Sequence, residues 1–393
     1  MIKIILVHDF ENELWWWEIH VSWLTILLKE QWNNVVNYYW SSKNKFIYKI
    51  TAFFNIYHLI KLCFLLYKNK DIKVVHFHWT LYSLSPSIYL IKRFFDIKII
   101  QTIHAFQYYC PRLYWIYEDW SICKYWFNCT RCLYKNCYSY FIGKQYIFWY
   151  RFKWLKIAIN RFFIRRYVGK FICPSKKLQE YMIKTLNLEE TKTLYLPNFI
   201  DIERNEYPNY ETINNTKFLF VWRLSKVKWI DIAIKSINYL VYKWIKDIYF
   251  NIIGDWPEKQ RLEKMVINLW LQKNINFLWK INNKELWEYY NNAWAILIPS
   301  VCLENNPLVA LESMKYGRPI IASNIWWIPD LVEYWKNGYL FQMWNHIELA
   351  EKILQLYGNN KKIIEMWKYG FEKLKKEFNS KLFYERLMKV YNE

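Results

Sequence analysis

A chain of 393 residues, 54% of them hydrophobic, is too long for one ordinary core and rich enough in apolar side chains for two. No run reaches the roughly 18 uninterrupted apolar residues of a membrane span. The apolar start, residues 1–10, has no cleavage-site pattern and reads as a first buried strand, so a cytoplasmic protein is expected. The formal net charge of +21 fits either an AT-rich gene or attraction to anionic membrane surfaces and phosphorylated substrates, and no nucleic-acid recognition motif accompanies it.

In chain order, residues 2–7, 74–77 and 97–102 read as buried parallel strands, with a helix over 19–29 between the first two. This βαβ rhythm implies a parallel sheet with ligands at the carboxyl ends of its strands. A cysteine-rich insertion, 110–137, interrupts it, and a basic, aromatic stretch, 144–170, follows. Within that stretch Leu155, Ile159, Phe162 and Phe163 are interspersed with Lys156, Arg161, Arg165 and Arg166. Such a segment is either a domain helix with its apolar face in the core or an amphipathic helix resting on an anionic membrane. A strand restarts at 170–173, Pro174-Ser175 opens a helix, and 193–196 form another strand ending at Pro197-Asn198. Polar residues 201–216 read as a linker. A second βα series has strands at 217–221, 248–253, 275–278, 295–298, 319–322 and 339–341, before a charged helical tail. The expected division is residues 1–200, residues 201–375, and a helix over 376–393 returning to the first domain.

The chemistry-bearing residues concentrate in the second half. Glu304 and Glu312 stand eight positions apart, the first in a loop after a strand, the second inside a helix starting near Pro307. The free N–H groups and positive end of that helix suit a diphosphate, and a carboxylate in its second turn can accept hydrogen bonds from a ribose diol. Arg223 and Lys228 follow the first strand of this half and can neutralise a leaving diphosphate, Arg as a bidentate fork and Lys as a point charge. The turn Gly254-Asp255-Trp256-Pro257 and the segments 322–329 and 337–339 complete the set.

Together these segments resemble the C-terminal half of family 4 glycosyltransferases, with their Gly-Arg-Leu…Lys-Gly, Gly-Asp-Gly-Pro, Glu-x7-Glu and Gly-Gly-x-Pro-Glu patterns in the family's order and spacing. The first half is similar too. Trp15-Trp16-Trp17-Glu18 stands at the family's glycine-rich loop, His104 at its active-site histidine, and 173–175 and 196–201 at the end of its N-domain. The resemblance implies an α/β GT-B fold, two Rossmann-like domains facing a central cleft. It implies retaining transfer of a sugar from a UDP-, GDP- or ADP-sugar to a glycan or lipid-linked acceptor in cell-envelope polysaccharide synthesis, with no cofactor or metal needed for the chemistry. By the same resemblance Arg223 and Lys228 hold the diphosphate, Glu312 the ribose and Glu304 the donor sugar. The backbone around Asn305, Asn306 and Leu308 adds contacts, and His104 stands near the anomeric centre. Position 330 is Asp where the family usually has Glu.

Cys110, Cys123, Cys129, Cys132 and Cys137 crowd the insertion, and in a cytoplasmic protein such a cluster favours metal over disulfides. Some family 4 relatives carry a similar insertion. A structural zinc on Cys123, Cys129, Cys132 and Cys137 is expected, with free thiols the alternative.

One oddity runs through the chain: 25 Trp against 7 Gly, where about 7% glycine is ordinary. At 15–17, 222, 229, 256, 326 and 327 this chain has Trp where the family has Gly. A UGA codon that the source bacterium reads as glycine, translated as tryptophan, accounts for both observations. If the tryptophans are real, the rival reading is a catalytically silent, membrane-associated scaffold. A GT-B sugar-nucleotide epimerase is a further rival.

Overall fold

The computed structural model describes residues 2–9, 16–39, 54–78, 80, 84–104, 147–202, 217–222, 224–254, 258–278, 281, 285–301 and 305–393. The chain divides into two compact units, one of Met1–Asn198 with Phe383–Glu393, the other of Phe199–Leu382. Each is built on one six-stranded sheet whose pairings are all parallel.

In the first unit the strands are β1 (Lys3–His8), β2 (Asn34–Tyr39), β3 (Val74–Phe77), β4 (Lys98–Thr102), β5 (Lys170–Cys173) and β6 (Thr193–Tyr195), in the order β2-β1-β3-β4-β5-β6. A parallel sheet is covered on both faces, so its inner strands must be apolar throughout; Ile4, Ile5, Leu6 and Val7 accordingly have no exposed surface. The edge strand β2 differs. Its Val35 and Tyr38 are buried while Asn34 and Tyr39 are exposed. That broken pattern gives no continuous apolar run, and nothing between Lys29 and Val74 reads as an element from sequence. The structure has both β2 and a helix there. The helices are α1 (Trp16–Glu30), α2 (Ile56–Lys68), α3 (Ile147–Tyr167) and α4 (Lys176–Leu186). Ser175 caps α4 by accepting the Leu178 N–H at 3.0 Å. In the basic stretch, α3 buries Ile157, Asn160 and Ile164, the i, i+3, i+7 stripe of a helix lying on a core, and exposes Leu155 and Phe162.

The second unit contains β7 (Lys217–Val221), β8 (Tyr249–Ile253), β9 (Ile275–Leu278), β10 (Ala295–Ile298), β11 (Ile320–Ser323) and β12 (Gly338–Phe341), ordered β12-β11-β10-β7-β8-β9. Counted from its own first strand and read from the β9 edge this is 3-2-1-4-5-6, the doubly wound dinucleotide-fold order. Its helices are α5 (Ile230–Tyr242), α6 (Lys259–Asn268), α7 (Leu286–Asn291), α8 (Leu308–Lys315), α9 (Ile328–Leu331), α10 (His346–Leu356) and α11 (Asn360–Glu377). Phe218, Phe220, Ile234, Ile237, Ile252 and Trp294 centre the core. The last helix, α12 (Ser380–Asn392), returns to the first unit. There the Tyr391 hydroxyl meets His76 Nδ1 at 2.7 Å, Tyr384 accepts from Asn33 at 3.0 Å, and Lys98 Nζ donates to the Val390 carbonyl at 3.1 Å.

Each sheet reverses direction once, between β1 and β3 and between β7 and β10. In open α/β sheets the crevice outside the carboxyl ends at that reversal is where ligands bind. No helix of the described residues is long and apolar enough to cross a membrane.

Candidate active site

At the second reversal the chain leaves β7 through Trp222, makes a 3-10 turn over Lys226–Lys228, and enters α5 through Trp229. Lys228 is buried, and its Nζ lies 3.3 Å from the centroid of the Trp222 ring. Beside it, β8 is followed by Gly254, whose φ is +152° and where a Cβ would stand 1.9 Å from the Trp222 carbonyl oxygen. Only glycine lets these two strand ends pass so closely. From β10 the chain runs through buried Ser300 to Asn305 and Asn306, both buried, the latter at φ +53°. Asn tolerates that left-handed conformation better than most residues. Pro307 then starts α8, and no side chain caps that end, which leaves first-turn N–H groups for an anion.

One turn into α8, Glu312 accepts a 2.7 Å hydrogen bond from the Tyr290 hydroxyl of α7, and the Tyr290 ring stacks on Tyr316 at 5.1 Å. Burial raises the Glu312 carboxyl above the ordinary carboxylate range, against the opposing pull of the Tyr290 hydrogen bond and Lys315. Burial and the neighbouring Glu312 likewise push the Tyr290 hydroxyl up. Tyr290 carries no motif of its own and stands 22 positions from its partner, so sequence reasoning misses it. Lys228, Asn305, Asn306, Leu308 and Glu312 thus all belong to one carboxyl edge of one sheet. Arg223 and Glu304 lie outside the described residues, as do Asp255 and the cysteines Cys110, Cys123, Cys129, Cys132 and Cys137. Among the described residues no group of three or more His, Cys, Asp or Glu is placed to hold a metal ion, and Cys63 and Cys173 are free thiols.

The first reversal carries imidazoles. His8 ends β1, His76 and His78 come from the end of β3, His104 follows β4, and His20 comes from α1; all five are buried. His78 Nδ1 and His104 Nε2 share a hydrogen bond of 3.0 Å, with the rings stacked at 5.3 Å. His20 meets His104 edge-on at 5.4 Å, and His76 lies 4.3 Å from His78, ring to ring. His76 uses both nitrogens, on Tyr391 and on Thr102 Oγ1. Burial lowers His20 to about 4 and His76 to about 3. His78 and His104 fall well below their ordinary value through burial and the repulsion each cation would feel from the others. At neutral pH His104 is therefore an uncharged hydrogen-bonding group. His78 had a sequence signal: two histidines two apart at a strand end project to one face.

Comparison with known proteins fits this geometry. The family model for glycosyl transferases group 1 matches residues 202–373, and that for Glycosyltransferase Family 4 matches residues 28–204. The chain belongs to the family 4 glycosyltransferases. Among curated relatives, the poly(ribitol-phosphate) alpha-N-acetylglucosaminyltransferase of Staphylococcus aureus (strain COL) is 26% identical over 236 residues, 55% of this chain and 47% of that protein. The chain spans about half the length of the curated relatives it matches. Among solved structures, the sucrose-phosphate synthase of Thermosynechococcus elongatus superposes with a TM-score of 0.73 at 16% identity, covering 100% of this chain and 98% of that one. Anabaena HepE in complex with UDP and glucose gives 0.69 at 13% identity, with 100% of both chains covered. At such identities the likeness shows the fold alone: in this family 4 chain it is the GT-B fold, two parallel α/β sheets.

Proposed function

We propose that this chain transfers a sugar, with retention at the anomeric carbon, from a nucleoside diphosphate sugar to a glycan or lipid-linked acceptor in cell-envelope polysaccharide synthesis. The observation that carries the reading is the carboxyl edge of β7 and β10, where buried Lys228, the uncapped start of α8 and half-buried Glu312 converge on one sheet reversal. An ammonium and the N–H groups of a helix's first turn match a diphosphate. An ionised Glu312, its rotamer held by Tyr290, accepts two hydrogen bonds from a ribose diol. The relatives support the class: UDP and glucose occupy HepE, and the staphylococcal protein is named for a polyol-phosphate polymer.

In the transfer the bond from the anomeric carbon to the phosphate oxygen breaks as an acceptor hydroxyl oxygen bonds to that carbon from the same face. The hydroxyl proton passes to the departing phosphate. Lys228, with Arg223, stabilises the charge growing on that phosphate, Glu304 holds the sugar, and neutral His104 offers it a hydrogen bond. Four thiolates, Cys123, Cys129, Cys132 and Cys137, would hold a structural zinc that takes no part in the transfer.

The test is titration of UDP-, GDP- and ADP-sugars against the chain carrying Trp222→Gly, Trp229→Gly, Trp326→Gly and Trp327→Gly, which restores four of the family's glycines, all in the second unit. One donor is expected to bind saturably. Adding Glu312→Gln, which keeps an acceptor for Tyr290 but removes the charge, should weaken it about tenfold to a hundredfold, the size of a lost charge-assisted hydrogen bond. No binding by any donor, or binding indifferent to Glu312, sinks the enzyme reading in favour of a silent scaffold.

A further inference from the structure

Among the described residues, nine non-glycine residues have positive φ; Trp supplies seven of them and Asn the other two. Tryptophan fills only 25 of 393 positions, so its share of these sites is far beyond its abundance. A left-handed backbone sets Cβ against the following carbonyl; glycine escapes that contact, Asn tolerates it, and a bulky aromatic has no such dispensation.

The seven positions are also of the kinds glycine fills. Helices α1, α5 and α6 end in the same closure. The N–H of Asn33, Ile245 or Leu271 bonds back to the carbonyl of Leu28, Leu240 or Val266, all at 3.0–3.1 Å. The left-handed residue inside each closure is Trp32 (φ 62°), Trp244 (70°) or Trp270 (57°). That closure is the Schellman motif, and its left-handed position belongs to glycine or Asn. The chain itself supplies the controls. Helix α8 closes the same way, Arg318 N–H to the Ser313 carbonyl, around Gly317 at φ 66°, and α4 closes around Asn187 at φ 50°. The three indoles are 81–85% exposed, so no packing accounts for them. Trp335 and Trp344 are third residues of turns closed by Lys336 N–H to Glu333 O and Asn345 N–H to Gln342 O, with φ of 70° and 76°, the position where a type II turn takes glycine. Trp229 and Trp326, at φ 46° and 51°, precede α5 and α9 on the carboxyl edge described above.

We propose that the protein its own organism makes has glycine at positions 32, 229, 244, 270, 326, 335 and 344, each encoded by a UGA codon that its ribosomes decode as glycine. Local composition alone cannot produce this assignment: five of the seven positions, 32, 244, 270, 335 and 344, lie outside every motif singled out from sequence, and only the sign of φ marks them. Trp294 and Trp367, buried in the second unit at ordinary φ, make no such demand and remain tryptophan or not on other grounds. The consequence for the carboxyl edge is room. Trp229 meets Trp344 ring to ring at 4.2 Å beside the Lys228 turn, and glycine at both positions removes two indoles from it.

Peptide mass spectrometry of the protein purified from its own cells decides the matter. Peptides spanning the seven positions are expected at the mass of glycine, each lighter by an indole side chain, and the gene should show UGA at all seven. Tryptophan in those peptides, or UGG codons there, overturns the proposal. A second readout tests the physical cause. The recombinant chain carrying all seven Trp→Gly substitutions should have an unfolding equilibrium constant at least about a thousandfold smaller than the chain with tryptophan, since each left-handed position contributes on the order of threefold to tenfold. Equal or lower stability of the glycine chain also overturns it. None of these measurements involves a nucleotide sugar, so failure here and failure of the transferase reading are separate results.

Discussion

The two sheets furnish their reversals in opposite ways. At the carboxyl edge of the first stand buried imidazoles that are uncharged at neutral pH; at that of the second stand an ammonium, an open helix end and a carboxylate. Physical chemistry gives the division a sense. A diphosphate carries charge and must be met by charge and aligned N–H groups, whereas sugar hydroxyls are met well by neutral dipoles. The imidazole cluster enforces its own neutrality, because a proton on His78 or His104 is opposed first by burial and then by the neighbouring rings. The carboxylate is different again: burial raises the Glu312 pKa, and the Tyr290 hydrogen bond pulls the other way.

The sharpest way to break this comparison is to unlink the imidazoles. His78→Phe keeps a ring beside His104 but takes away the 3.0 Å hydrogen bond between two buried side chains, at a cost of about 1–3 kcal/mol. Transfer should slow about tenfold while donor affinity, set in the second unit, stays within about twofold; a matching fall in donor affinity would erase the division of labour.

A smaller effect sharpens it from the other side. Tyr290→Phe removes the hydrogen bond that lowers the Glu312 pKa, so that pKa rises further. With Glu312 in its proposed role, donor binding needs the ionised carboxylate and should then be lost at a higher pH on acidification than in the parent chain, with little change well above neutrality. An acid limb that stays put, or that follows His104 substitutions instead, means that Glu312 is not the titrating group.

The smallest effect belongs to a carboxylate that only holds the fold. Glu333 lies off this edge and receives hydrogen bonds from Lys373 at 2.8 Å, Tyr369 at 2.7 Å and Lys336 at 3.0 Å. Burial works to raise its pKa, but these bonds outweigh it and hold the group at about 2. A folded-state pKa below the unfolded one gives stability that is present above about pH 4.3 and lost as pH falls toward 2. Glu333→Gln should cost about 1–2 kcal/mol at pH 7, discounted for its partial exposure, and flatten the acid limb of thermal stability over that window. A full-sized loss in donor affinity from this substitution would blur the contrast with Glu312.

Much of this was legible in the chain. The inner strands of both sheets announce themselves because parallel strands covered on two faces are unbroken apolar runs. Lys228, Glu312 and His104 are found through spacing and resemblance. What escapes is what depends on partners distant in sequence. Tyr290 reaches Glu312 across 22 positions, and Tyr391 reaches His76 across 315. Edge strand β2 escapes for a different reason, since an edge strand's mixed exposure leaves no periodic run to read.

By itself, then, the sequence determined the α/β class and the family and singled out Lys228 and Glu312 for the proposed donor site, because burial and phosphate chemistry leave marks on local composition. Only the tertiary structure decided which way the backbone turns at each tryptophan and which side chains share a proton, because the sign of φ at a helix end and the meeting of remote hydrogen-bond partners are fixed by closure of the whole fold and not by neighbours along the chain.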